Sequence, residues 1–239
     1  MWMDVGMDES THIIQADFDR IALLTDDAWD HNRHYHDYLL HAVPPSCRYA
    51  LEVGCGTGVF SRLLAGRADR VLALDLSPQM IRIAKERSAA YTNIDFEAAD
   101  ARTRELPTDR FDCIVSVATL HHLPASDMLS KMRRALAVGG RIIVLDLFKA
   151  GEFSDALASA LAVPVSLVLR LRRTGRLREP REVREAWAAH GRHDSYLMMS
   201  QVRRIASAVL PGAEVKQHLL WRYSLIWEKR EGARGITAA

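Results

Sequence analysis

Cysteine is scarce in this 239-residue chain, with three in all. None of them falls in a C-x-x-C pair, so Cys47, Cys55 and Cys113 cannot make a closed disulfide set or a zinc ribbon. Reduced thiols are the expectation. No apolar run reaches the roughly 20 residues needed to span a bilayer. The formal charge is only +2, too small to argue for a nucleic-acid partner by itself. The opening MWMDVGMDES is acidic and lacks a basic stretch leading into an apolar one, so no signal peptide is expected and the protein is read as cytoplasmic. There is no internal repeat and no low-complexity segment. What remains is an ordinary globular composition, long enough for one large domain or for a domain with an elaborated lid.

Residues 48–148 alternate short apolar runs with amphipathic ones. RYALEV (48–53), RVLALD (70–75), IDFEA (94–98), FDCIVS (111–116) and RIIVLDL (141–147) read as strands covered on both faces. GVFSRLLAG, PQMIRIAKERSAA and ASDMLSKMRRALA between them place apolar residues at helical spacing. Ser77 is the expected cap and Pro78 the first turn of the second helix. Gly139-Gly140 is expected to end the last. This alternation predicts a doubly wound parallel sheet. Residues 17–42 look helical, with Phe18, Ile21, Leu24, Trp29, Leu39 and Leu40 as buried points. Residues 152–210 read as helices, broken near Pro164, around Arg172–Pro180 and around Gly191–Ser195. EVKQHLL (214–220) and RYSLIWEK (222–229) return to strand, with Trp221 alone between them in an antiparallel return.

The stretch ALEVGCGTG, residues 50–58, ends an apolar strand in an acid and three alternate glycines. Such a turn either packs a helix tightly on its strand or presents bare backbone to a ligand. In an open parallel sheet ligands bind beyond the carboxyl ends of the strands. There the chain offers the glycine turn, then Asp75, then Asp100, then the small residues Ser116-Val117. A carboxylate at Asp75 suits the two hydroxyls of a ribose. The spacing is G-x-G-x-G, not the G-x-G-x-x-G of pyrophosphate sites, and Glu52 would repel a pyrophosphate. An acid there favours a nucleoside carrying a positive side chain, such as S-adenosylmethionine.

LEVGCGTG, the strand-end Asp75 in ALDLS, AAD at 98–100, FDCIVSVATLHHL and GGRIIVLDL together resemble the class I S-adenosylmethionine-dependent methyltransferases, most closely the methyltransferase type 11 group. The resemblance covers residues 48–148. It implies a Rossmann-like, doubly wound seven-stranded sheet whose last strand is antiparallel. N-terminal helices would precede that sheet, and a helical cap would follow strand 5. It divides the chain into an N-terminal helical lid (1–47), a cofactor-binding core (48–148), a cap or acceptor region (149–212) and C-terminal strands (213–239). Carried over, it places Gly54, Cys55, Gly56 and Gly58 at the methionine portion and Asp75 on the ribose, with Leu76 beside the adenine; Glu52 and Met80 complete the expected cofactor-binding set. Asp100 and Ala101 fall at the adenine edge, and Val117 beneath the cofactor.

The acceptor is less specified. Ser116-Val117-Ala118-Thr119 stands where methyltransferases of exocyclic base amines resemble one another in Asn/Asp-Pro-Pro-Tyr, so that chemistry is not expected. His121 is read as a packed or capping residue, and His122 as a base at the cleft edge. His31, His34 and His36 are surface or lid residues, with His36 the second catalytic candidate; no metal is expected. The segment 156–179, apolar and then arginine-rich, is read as a cap over an apolar acceptor pocket. Membrane or RNA contact is the minority reading. The expected activity is methylation of a small, rather apolar molecule, through oxygen. The rivals are a tRNA or quinone/lipid-precursor methyltransferase and a cofactor-binding sensor without turnover.

Overall fold

The structure is a computed structural model, and it describes residues 9–24, 31–149, 164–172, 174, 175, 178, 180–192 and 194–231. Residue 29 and the segment 156–163 of the expected cap lie outside the described residues. Helix α1 (Glu9–Leu24) is followed by a 3₁₀ turn (Asn32–Tyr35) and α2 (His36–Ala42). The core then runs β1 (Cys47–Val53), α3 (Val59–Leu64), β2 (Ala68–Asp75), α4 (Pro78–Arg87), β3 (Ile94–Ala98), β4 (Phe111–Val117), α5 (Ala125–Ala135) and β5 (Leu136–Leu147). After a helical segment at 164–172 come α6 (Arg181–His190), α7 (Met199–Val209), β6 (Glu214–His218) and β7 (Arg222–Glu228). Among the described residues no helix is long and apolar enough to cross a membrane.

The seven strands form one sheet in the order β3-β2-β1-β4-β5-β7-β6. Pairs among β1 to β5 are parallel, and β7 is antiparallel to both β5 and β6. The order reverses between β1 and β4, which leaves a crevice beyond their carboxyl ends. Period-two alternation sends successive residues of β5 to opposite layers. Ile142 and Val144 pack with Met128 and Met132 of α5 and Val202 and Ala206 of α7. Ile143 and Leu145 pack with Leu39 of α2 and Phe60 and Leu64 of α3. Helix α7 is thus part of the sheet's own cover.

Two boundaries differ from expectation. Helix α5 stops at Ala135, and Gly139-Gly140 lies within β5, where Gly139 N–H donates to Lys229 O at 2.7 Å. The pair therefore serves the β5–β7 ladder, and tertiary pairing overrides its helix-ending tendency. The β6–β7 connection is Leu219 to Trp221, with Leu220 and Trp221 both at positive φ (59° and 57°). A tight antiparallel turn demands that backbone twist. The Ser77 cap is as expected: its Oγ accepts from Met80 N–H at 3.0 Å, with Pro78 in the first turn.

Candidate active site

One cavity of about 890 Å³ opens at the carboxyl ends of β1, β2 and β4. Its first wall is the glycine turn. The three glycines do different work. A Cβ on Gly54 would fall 2.0 Å from Thr119 Oγ1, and one on Gly58 would fall 2.9 Å from Phe96 and 3.2 Å from Ala84 Cβ. Those two are glycine because neighbouring segments pack on them, and Gly58 is not among the cavity-lining residues. Gly56 alone, at φ +51°, has nothing within 4 Å of a Cβ position and faces open space. Gly54 and Gly56 thus both line the cavity, while neighbouring packing also requires glycine at 54 and 58.

Asp75 latches this turn. Its Oδ2 accepts from Gly56 N–H at 2.7 Å and its Oδ1 from Ser77 N–H at 2.9 Å. A carboxylate has further lone pairs on each oxygen, so it can still take donors from a ligand. Burial pushes its pKa up to about 6, against the pull of the two backbone donors. Glu52 is fully buried, on the face of β1 turned to α3, where Ser61 Oγ donates to Oε2 at 2.5 Å. Burial raises it to about 8, so at neutral pH it is largely protonated and offers no simple negative charge. Cys55 packs inward with Ala73 and Ile81, while Leu76, Met80, Ala101 and Val117 all line the cavity. Asp100 lines it too, but its carboxylate is held by Arg102, Nη2 to Oδ2 at 2.8 Å. Burial pushes Asp100 up, and the Arg102 contacts outweigh it, leaving it below the ordinary range.

Helix α1 closes over this wall. Its Asp19 Oδ1 accepts from Ser77 Oγ at 2.5 Å and from Gln79 N–H at 3.3 Å. Its Thr11 meets Arg102. Ile21 and Ala22 pack against Met80 and Ile83 of α4 and Ala186 of α6. Helix α1, which falls in the 1–47 segment expected to form a lid, is thereby pinned to the strand-end residues themselves.

The opposite wall gathers histidines from distant segments. Ala118, at φ 51°, turns the chain out of β4 into the 3₁₀ turn Leu120–His122. His121 is packed as expected, its Nδ1 2.6 Å from Asp146 Oδ1. His122 lines the cavity, edge-on to Phe18. Burial, with His121 and His190 alongside, depresses its pKa to about 2, so the ring is a neutral imidazole. His190 is buried at the end of α6, and Asp194 and Tyr196 follow it, with Tyr196 O–H donating to Asp194 Oδ2 at 2.5 Å. His36 is buried against Phe60 and lines the cavity, whereas His34 is exposed. His31 reaches Ser166 at 2.8 Å, joining the N-terminal segment to the helical stretch at 164–172.

His190, Asp194, Tyr196 and Asp146 were not singled out by the sequence reading. Asp146 carried a signal, an acid inside the apolar strand RIIVLDL, which must find a partner when buried. The other three carried none.

The family model described as the methyltransferase domain matches residues 50–140. The chain is 36% identical over 121 residues to an uncharacterized methyltransferase of Mycobacterium tuberculosis, covering 50% of this chain and 61% of that protein. It is 34% identical over 158 residues to 2-phytyl-1,4-naphtoquinone methyltransferase of Thermosynechococcus vestitus, covering 62% and 68%. The chain thus spans less than two thirds of the length of its mycobacterial relative. In fold it is similar to the N-methyltransferase NodS of Bradyrhizobium japonicum, solved with S-adenosylhomocysteine. That likeness has a TM-score of 0.61 at 19% identity, over 94% of this chain and 100% of the other.

Proposed function

The chain belongs to the class I S-adenosylmethionine-dependent methyltransferases, and on that premise we propose that it methylates a small, rather apolar acceptor through oxygen. The observation that carries the reading is the single cavity joining the Gly56–Asp75 wall to a wall of neutral and aromatic rings. S-adenosylmethionine supplies the methyl group as a sulfonium.

The chain's own residues then have three tasks. Gly56 and the latched Asp75 take the amino-acid and ribose portions of the cofactor, with Gly54, Cys55 and Glu52 shaping the turn behind them and Gly58 packing it on α4. Leu76, Met80, Asp100, Ala101 and Val117 border the base. On the other side Phe18, Trp187 and Val183 supply apolar surface, and His122 and His36 are the rings assigned to the acceptor. A neutral His122 accepts a hydrogen bond from an acceptor hydroxyl and points its oxygen; alignment of this kind is the main contribution of a protein to an in-line displacement. The name of the naphthoquinone relative supports an apolar ring-bearing acceptor.

The test is a transfer assay with methyl-labelled S-adenosylmethionine and a panel of hydroxylated apolar acceptors. Label should enter an organic-extractable product. Asp75→Ala should weaken S-adenosylhomocysteine by about 2–3 kcal/mol in calorimetry. Unchanged affinity in that variant would remove the assignment. Tight binding without any labelled product would make the protein a sensor.

A further inference from the structure

Two buried polar atoms of the histidine wall, Asp194 Oδ1 and His190 Nε2, have no hydrogen-bond partner among the described residues. Such atoms are uncommon, because an unmade buried hydrogen bond is costly. They lie together: Asp194 Oδ1 is 3.5 Å from His190 Nε2 and 3.4 Å from His122 Nδ1. These separations are long for hydrogen bonds. They match the spacing of two ligands on one tetrahedral ion, roughly 3.3–3.4 Å for bonds of about 2.0–2.1 Å.

The surroundings point the same way. Asp17 Oδ2 faces His190 Nδ1 at 3.3 Å, and His190 Nε2 faces the Asp194 carboxylate on the other side. A cation between that nitrogen and the carboxylate, a proton or a metal ion, is what such a pair requires. His121 brings a further nitrogen: one ligand-capable atom each from His121, His122 and Asp194 lie within 4.8 Å of one another. The outer partners are in place as well, Asp146 on His121 and Tyr196 on Asp194. Carboxylates and phenols in that position orient ligand rings.

We propose that His121, His122 and Asp194, with His190 beside them, bind a divalent transition-metal ion of the zinc class. Imidazole donors select zinc, iron, cobalt or nickel over magnesium and calcium, which prefer oxygen. The cluster borders the same cavity as Gly56 and Asp75. Its use in catalysis, though not the binding itself, rests on the methyl-transfer reading above. With the ion bound, His122 holds it through Nδ1 and the acceptor oxygen takes the ion's open position in place of a hydrogen bond to the ring, and the ion lowers that oxygen's pKa.

The experiment titrates the full chain, stripped with chelator, with Co²⁺ alone and reads the visible spectrum. One Co²⁺ per chain is expected, with the strong bands of four-coordinate cobalt, no thiolate charge transfer, and displacement by Zn²⁺. His122→Gln and Asp194→Asn should each weaken Co²⁺ by at least about tenfold. His41→Gln, on the exposed side of α2, should leave it unchanged. S-adenosylhomocysteine binding by the same variants shows that they are folded, and it tests the methyl-transfer reading separately. Should Asp194→Asn fail to fold, His122→Gln decides alone. No binding, an octahedral spectrum, or tight binding that survives both substitutions overturns the site.

Discussion

On the wall that carries Gly56 and Asp75, the polar contacts stay within adjacent β–α units: the Asp75 carboxylate accepts from the backbone of Gly56 and Ser77, and the Ser61 hydroxyl donates back to the Glu52 carboxyl. On the wall that carries His122, they run between side chains from α1, the turn after β4, β5, α6 and the segment at 194–196. Burial acts on both but with opposite chemical results. It keeps a proton on Glu52, raised to about 8, raises Asp75 only to about 6, so that its carboxylate is mostly ionised at neutral pH, and keeps a proton off His122, depressed to about 2. The lesson is that a wall built within neighbouring β–α units meets its acids with local donors. A wall built from distant side chains instead leaves polar atoms over.

The largest expected effect separates two glycines of one turn. Gly54→Ala drives a methyl into Thr119 at a backbone angle of +76°, so it should cost about 3–5 kcal/mol in urea unfolding. Gly56→Ala meets no atom and should cost only about 1–2 kcal/mol, from its left-handed backbone, yet it should abolish measurable S-adenosylhomocysteine binding. Equal destabilisation by both would break the distinction between a packing glycine and a ligand-facing one.

The next effect uses pH. Glu52 has a folded pKa above its unfolded value, so its stabilisation is complete below about pH 4.3 and is lost as pH rises through about 8. His122 has a folded pKa below its unfolded value, so stability is present above about pH 6.5 and is lost as pH falls towards about 2. Between about pH 6.5 and 8 only the Glu52 contribution is changing steeply, with a slope of up to about 1.4 kcal/mol per unit. Glu52→Gln, which keeps an acceptor for Ser61, should flatten the wild-type decline in that window. His122→Asn should flatten the decline on the acid side. A wild-type stability that rises from pH 6.5 to 8, with Glu52→Gln unchanged, would count against the buried neutral acid.

The smallest effect sharpens how α1 joins the two walls. Asp19→Ala removes the acceptor for Ser77 Oγ and Gln79 N–H and should cost about 1 kcal/mol. Amide exchange over 9–24 should quicken while β1 to β5 stay protected. If exchange in α1 is unchanged, apolar packing on α4 and α6 alone holds the helix.

Legibility in the sequence followed the range of the interaction. The strands 48–53, 70–75, 94–98, 111–116 and 141–147 were readable because a strand buried on both faces is apolar throughout, and the structure extends them by a few residues at most, apart from the early start of β5 at Leu136. Asp75 was readable from its place at a strand end. What each glycine is for was not readable, because a glycine that avoids a clash looks the same in sequence as one that meets a ligand. Only the positions of Thr119, Phe96 and Ala84 tell them apart.

The sequence by itself determined the alternation of strand and helix, the Ser77 cap and the glycine turn after the first strand, since each depends on residues a few positions apart. The tertiary structure alone decided that β7 enters between β5 and β6, that α7 covers the sheet, and that His190 and Asp194 come to face His122. Those contacts join side chains far apart in the chain, and such pairs leave no period, spacing or local propensity behind them; they exist only once the sheet has set where each strand ends.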